Sequence, residues 1–373
     1  MIKRLIENKI NKDFTSGKAI IIMGARQVGK TTIINEIMKD KTNVLWLNGD
    51  EPDVRNIFHE ITSSRLKMLI GDNKYLVIDE AQRIDDIGLK MKLITDQLSD
   101  VQLIATGSSS FELADKTNEP LTGRKNEYKM YPLSYEEMVK HNGFLEEKRL
   151  LPHRLVYGSY PEVVTNPGNE KKILHQLSDS FLYKDILMLD QIKKSDKITK
   201  LLQALAFQVG SQVSYSEVGQ ICGLDYKTVE KYIDLLEKSY VIFRLNSFSR
   251  NLRNELKKSR KVYFYDNGIR NAVIANFSQV ELRTDIGALW ENYLISERIK
   301  SIEYNDIWTN IWFWRTNQQK EIDLIEESDG KLSAYEFKWN PKSKYKEPAQ
   351  FLEAYPNSQL KVITPDNYEE FLT

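Results

Sequence analysis

Four short apolar runs, at residues 19–23, 44–47, 75–78 and 101–105, recur near the start of the chain, separated by segments whose apolar positions suit helices. Continuous apolar runs of this length, alternating with helices, predict a parallel sheet covered on both faces. Ligands on such sheets lie beyond the carboxyl ends of the strands. Each run here ends in polar or glycine-rich residues: Gly24 onward, Asn48-Gly49-Asp50-Glu51, Asp79-Glu80, and Thr106-Gly107-Ser108. The pattern then changes. Residues 141–200 are mostly helix-compatible, with a break at Gly158-Ser159-Tyr160-Pro161-Glu162. Residues 214–236 read helix, turn, helix, with Gly223 at the turn, Asp225 as a cap and Val229, Ile233 and Leu236 on one face. Residues 240–245 and 261–265 read as strands. Residues 288–299 read as a helix. Residues 320–326 and 332–338 alternate around Asp329-Gly330, a strong two-residue hairpin signal.

The first polar end is Gly24-Ala25-Arg26-Gln27-Val28-Gly29-Lys30-Thr31-Thr32. Strand, glycine loop and helix are the context in which G-x-x-x-x-G-K-[ST] binds phosphate. Glycines let backbone N–H groups turn inward around phosphate oxygens, and the dipole of the new helix favours the same anion. Gly24, Arg26, Gln27, Val28, Gly29, Lys30, Thr31 and Thr32 are the candidate ATP-binding residues. Lys30 would reach the β- and γ-phosphates, and Thr31 would ligate Mg2+. At the end of the third run, Asp79 would hold Mg2+ and Glu80 would orient the attacking water. The alternative is that both acids cap the next helix. Thr106 or Ser108 either senses the γ-phosphate or serves turn chemistry.

These strings, with Val77-Ile78-Asp79-Glu80-Ala81-Gln82, Ala105-Thr106-Gly107-Ser108-Ser109-Ser110, Leu121-Thr122-Gly123-Arg124 and Tyr131-Pro132-Leu133-Ser134, carry a resemblance. The chain resembles a bacterial and archaeal family of AAA-type ATPases, over nearly its whole length and more weakly toward the C-terminus. The resemblance implies ATP binding and hydrolysis. It also makes Arg124 a candidate finger or sensor, from the same or a neighbouring subunit of a homo-oligomer; such an arginine is worth several powers of ten in rate. Alternatively Arg124 is a surface loop residue, or Arg26 or Arg83 takes that place.

Residues 201–266 fit a winged-helix pattern. Arg244, Arg250, Arg253, Lys257, Lys258, Arg260 and Lys261 oppose only Glu255 in the loop between its strands. Either this segment (244–261) contacts DNA phosphates, or it is a solvated loop or an intersubunit contact. The outward helix face mixes Glu230 and Asp234 with Lys227 and Lys231, which weakens base readout.

In the hairpin, a two-residue turn sets Asp323 opposite Glu336 and Glu321 opposite Lys338 on one face, with Ile322, Leu324, Tyr335 and Phe337 on the other. Opposed carboxylates require a metal or a nearby basic group. The arrangement resembles the D…E-x-K set of restriction-endonuclease-like folds. That resemblance implies Asp323 and Glu336 as Mg2+ ligands, Lys338 as an assisting group, and Glu291 as the extra acid from the first helix. No proline precedes the first acid, and Glu321 can pair with Lys338; the alternative is a solvated hairpin face. Trp308, Trp312, Trp314 and Trp339 are expected to pack rather than to stack on bases.

Lys plus Arg and Asp plus Glu each total 53 over 373 residues, so no general basic coat exists. A single cysteine, Cys222, excludes a disulfide framework. No apolar run approaches a membrane span, and a cytoplasmic location is expected. The sequence thus predicts an α/β chain: a P-loop NTPase domain at 1–140, a helical connector at 141–200, a winged helix at 201–266 and a small restriction-endonuclease-like α/β domain at 267–373. Its expected ligands are ATP and Mg2+.

Overall fold

The computed structural model describes residues 2–373 apart from 15, 60, 108–120, 181–194, 250–259, 317, 319, 344 and 346–348. Ser108, part of the segment 141–200 expected to be helical, and Arg250, Arg253, Glu255, Lys257 and Lys258 lie outside the described residues. The chain forms two units, Met1–Leu133 with Lys238–Tyr240, and Ser134–Glu237 with Val241–Thr373.

The first unit is built on a five-stranded, all-parallel sheet of β1 (Ala19–Gly24), β2 (Val44–Asn48), β3 (Tyr75–Asp79), β4 (Gln102–Gly107) and β5 (Lys125–Met130), ordered β2-β3-β4-β1-β5. Ile20, Ile21 and Ile22 are fully buried in β1. Burying each is worth about 1.5–3 kcal/mol, which explains the unbroken apolar run. Four of the five strands follow the predicted runs. β5 was not predicted: as an edge strand it alternates, with Tyr128 and Met130 buried, instead of running apolar throughout. The helix Lys30–Met38 starts on Lys30 itself, because Gly29 turns the chain with φ +97° immediately before it.

The second unit begins with Ser134, which closes a capping box with Glu137 on the helix Tyr135–Asn142. Further helices follow. The helix Ser195–Phe207 precedes β6 (Gln212–Val213), the helices Tyr215–Cys222 and Tyr226–Lys238, β7 (Ile242–Asn246) and β8 (Arg260–Phe264). Gly223 is left-handed and Asp225 accepts from Thr228 N at 3.0 Å, as expected; Val229, Ile233 and Leu236 are buried. The three strands form an antiparallel sheet ordered β6-β8-β7.

Gly158 and Ser159, in a break without an assignable role in the sequence, lie against Asp266 at the start of the helix Asn267–Val273. Asp266 caps that helix through Ile269 N at 3.1 Å, and its other oxygen accepts from Ser159 N at 2.7 Å. A Cβ on Gly158 would sit 2.1 Å from the Asp266 carboxylate, and its φ is +70°. Only glycine fits there.

The helix Ile286–Tyr304 leads into β9 (Asn310–Arg315), β10 (Glu321–Ser328), β11 (Lys331–Phe337), the helix Ala349–Ala354 and β12 (Gln359–Ile363). The sheet is ordered β12-β11-β10-β9, antiparallel except for β11 with β12. Asp329 and Gly330 have φ +51° and +75°, and Ser328 pairs with Lys331, the predicted turn and register. One expectation fails. Ile322 does not share a face with Tyr335 and Phe337, which lie against Phe371. A register shift between Ile322 and Ile325 puts both isoleucines in the cluster of Trp314, Leu332, Ala334 and Phe351. Trp314 is buried there, Trp312 packs against it, and Trp339 meets Trp290 edge-on; Trp308 is 91% exposed.

Candidate functional site

In the first unit the polar strand ends gather at one sheet edge. β4 lies between the strand that carries the glycine loop and the strand that carries the acids. Thr31, at the start of its helix, donates from Oγ1 to Asp79 Oδ2 at 2.9 Å. Thr106, at the end of β4, donates to the other Asp79 oxygen and accepts from Glu80 N at 3.1 Å. Glu80 has φ +49°, and Gln82 Nε2 donates to its Oε2 at 2.6 Å. Gly49 lets the chain pass close, since a Cβ there would lie 2.3 Å from Glu80 O. Lys30 is buried, and its ammonium donates to Gly24 O at 3.0 Å and Ala25 O at 2.8 Å. A Cβ on Gly24 would lie 2.0 Å from Met130 O. Gln27 takes φ +58°, and Val28 is buried. Arg26 is half-buried; Gln27, Thr31 and Thr32 are exposed.

Two members of this site were given no role from the sequence, although Gln82 stands in the string Asp79-Glu80-Ala81-Gln82. Arg4 is buried and donates to Val28 O at 2.6 Å and Tyr131 O at 2.7 Å, tying the glycine loop to the chain after β5. Gln82 holds Glu80. Arg4 sits in no pattern that marks its partner.

Of the candidate arginines, Arg26 and Arg83 lie at this edge and Arg124 does not. Arg83 pairs with Asp50 at 3.3 Å, just past the end of β2. Arg124 pairs with Asp96 at 2.6 Å. Lys125 is in register with Ala19 and Met130 with Gly24, so Arg124 stands at the opposite strand edge, about 20 Å from Gly24 at the usual rise per residue. A place on a γ-phosphate held by its own loop does not fit Arg124; the neighbouring-subunit form of that expectation is what remains.

The second unit gathers the other predicted set. Asp323 Oδ2 accepts from Phe337 N at 2.8 Å, and Glu336 Oε1 pairs with Lys338 Nζ at 2.6 Å. Lys338 therefore pairs with Glu336, not Glu321. Glu336 is buried, and its Oε2 has no hydrogen-bond partner. The basic group is Lys261, 1% exposed, on β8. It contacts Glu291 at 2.9 Å, Glu321, and Asp323 at 4.0 Å. Tyr263 donates to Glu291 at 2.6 Å from the same face of β8. Burial, reinforced by Glu291 and Glu336, pushes the Asp323 carboxyl well above its usual range. Burial also raises Glu336, against the pull of Lys338. Among the described residues no three acidic, histidine or cysteine side chains converge on a metal position. Asp323, Glu336 and Glu291 are brought together as predicted, but they do not fit a metal as they stand, since an ammonium lies among them.

That geometry bears on the segment expected to be a DNA contact, a solvated loop or an intersubunit contact. Lys261 faces inward. Arg244 pairs with Asp234 at 2.7 Å and with Glu237, and Arg260 pairs with Glu230 at 3.6 Å and meets the Tyr215 hydroxyl at 3.2 Å. Three of the seven basic side chains are thus engaged within the unit. Linear proximity grouped Lys261 with the loop; the strand alternation that pairs it with Tyr263 was the available signal.

Residues 16–139 match the family model of an AAA domain, while 148–280 and 286–371 each match a model described as a domain of unknown function. An uncharacterized protein of Methanocaldococcus jannaschii is 23% identical over 391 residues, covering 97% of this chain and 85% of that protein. An uncharacterized protein of Mycobacterium tuberculosis is 23% identical over 324 residues, covering 86% and 70%. Among solved structures, a Walker-type ATPase of Pyrococcus abyssi shares the fold with a TM-score of 0.50 and 14% identity, over 74% of this chain and 96% of that one. The first unit carries an AAA-type P-loop domain of the kind found in ATPases. Among the described residues no helix is long and apolar enough to cross a membrane.

Proposed function

We propose that the chain binds and hydrolyses ATP with Mg2+ in its first unit, and that turnover is coupled to a DNA- or protein-interacting C-terminal region. The observation that carries this is the 2.9 Å contact of Thr31 with Asp79, beside a buried Lys30. A hydroxyl and a carboxylate at that distance are the hard oxygen donors Mg2+ takes, so the residues fit the ion. When bound, Mg2+ neutralises charge on the β- and γ-phosphates. Lys30 and the loop N–H groups hold the triphosphate. Glu80, steadied by Gln82, orients a water and takes its proton as the water oxygen attacks the γ-phosphorus and the bond to the bridging oxygen breaks, leaving ADP and phosphate. Lys30→Ala is expected to lose ATP binding by calorimetry. Glu80→Gln is expected to keep binding and to lose about 100-fold or more in turnover. Full ATPase activity in Lys30→Ala would refute the mechanism.

For the second unit, the order helix, β6, helix, turn, helix, β7, β8 supports a winged helix at 201–266. The order helix, β9, β10, β11, helix, β12 supports a restriction-endonuclease-like fold within 267–373. Lys261 favours the form of this reading in which the ATPase switches an interaction surface and cuts nothing. Supercoiled plasmid incubated with the chain, ATP and Mg2+ is expected to stay intact on a gel. Nicking that disappears in both Asp323→Ala and Lys338→Ala would restore the nuclease alternative.

A further inference from the structure

Lys261 is buried among carboxylates. Its side chain is 1% exposed, and its ammonium meets carboxylates from two separate elements, Glu291 on the helix Ile286–Tyr304 and Glu321 and Asp323 on β10. It also lies 5.4 Å over the ring of Phe313. An ammonium stays buried only when its charge is answered on several sides, and here it is. Among the described residues the fully ionised cluster has fewer cations than carboxylates. Lys261, Lys338 and Arg315, which pairs with Glu321 at 3.2 Å, answer four carboxylates, those of Glu291, Glu321, Asp323 and Glu336. The shortfall is visible at Glu336, whose buried Oε2 has no hydrogen-bond partner. A proton kept on Asp323, whose carboxyl burial pushes up, balances the set as it stands, and a divalent cation in place of Lys261 would balance it with that proton released.

We propose that Lys261 is the resident cation of this carboxylate cluster and competes with a divalent metal for it, so that the chain closes its own restriction-endonuclease-like centre. The inference rests on reading that part of the chain as such a fold. It assigns a role to a lysine outside the D…E-x-K set, carried on a strand of the preceding three-stranded sheet.

The test is Mn2+ binding to the full chain without nucleotide, by calorimetry and by electron paramagnetic resonance. Lys261→Met is expected to bind one Mn2+ at least about tenfold tighter than the unaltered chain, a modest return for removing a unit charge within a few ångströms. Adding Asp323→Asn to that variant is expected to abolish the gain, which locates the ion in the cluster and not at the glycine loop. Should Lys261→Met fail to fold by circular dichroism, Lys261→Gln, which keeps a donor and similar bulk, carries the same expectation. Equal affinity with and without Lys261, lost on Asp323→Asn, would overturn the competition while leaving a metal centre in place. No Mn2+ in either form would overturn the competition and the centre together.

Discussion

Asp285 answers two guanidiniums with one carboxylate. Arg270 reaches it at 2.6 Å and Arg283 at 2.8 Å, and both arginine side chains are essentially buried. Arg270 also donates to Ala206 O, and Arg283 to Asn276 O and Asn271. Burial alone would push the Asp285 carboxyl up, but the hydrogen bonds from Arg283 and Arg270 outweigh it and hold it below its ordinary value. An acid held low in the folded state contributes stability above its unfolded value, and that contribution is lost as pH falls toward the folded value. Asp285→Asn leaves two buried cations facing each other, which is expected to cost roughly 3 kcal/mol in urea unfolding near neutrality. The gap to the unaltered protein should narrow as the buffer is taken below about pH 4. A gap that stays constant with pH would show that shape, not charge, is what Asp285 supplies.

At the level of elements, what could be read from the sequence is what neighbours along the chain decide. The runs that became β1 to β4, the glycine loop, the left-handed Gly223 and the Asp329-Gly330 turn each depend on a few adjacent residues. The rest depended on partners far away. Gly158 is intelligible only beside Asp266, more than a hundred residues on. β5 looked polar because an edge strand needs apolar residues on alternate positions only. The shift at Ile322 and Ile325 arises against β9, a strand that the hairpin's own alternation could not register. The candidate sites divide the same way. Thr31, Asp79 and Thr106 meet because parallel strands deliver their ends to one edge, a rule that spacing can invoke. Arg4 reaches its site by folding, with nothing adjacent to announce it, and Lys261 by a strand alternation that its place beside a basic loop concealed.

Across the whole molecule the charges cancel, 53 against 53, so any affinity for nucleic acid must come from a local concentration of basic side chains. The segment 244–261 is the largest excess singled out in the sequence, but charges already paired inside a unit release few counterions when DNA approaches. Arg244 has Asp234 and Glu237, and Arg260 has Glu230. Each phosphate newly neutralised steepens the fall of log K with log salt by about 0.9 on duplex DNA. Two arginines making free phosphate contacts would therefore contribute about 1.8 to the slope. The internal pairing implies a far smaller share. Replacing Arg244 and Arg260 together by glutamine is expected to change the slope by less than about 0.5, read by fluorescence anisotropy on a duplex over a low-salt series. A loss near 1.8 would mean that these pairs open onto DNA, and the segment would regain the full phosphate-binding role its charge suggests. Absence of any binding at low salt would instead leave a protein partner as the target of the C-terminal region.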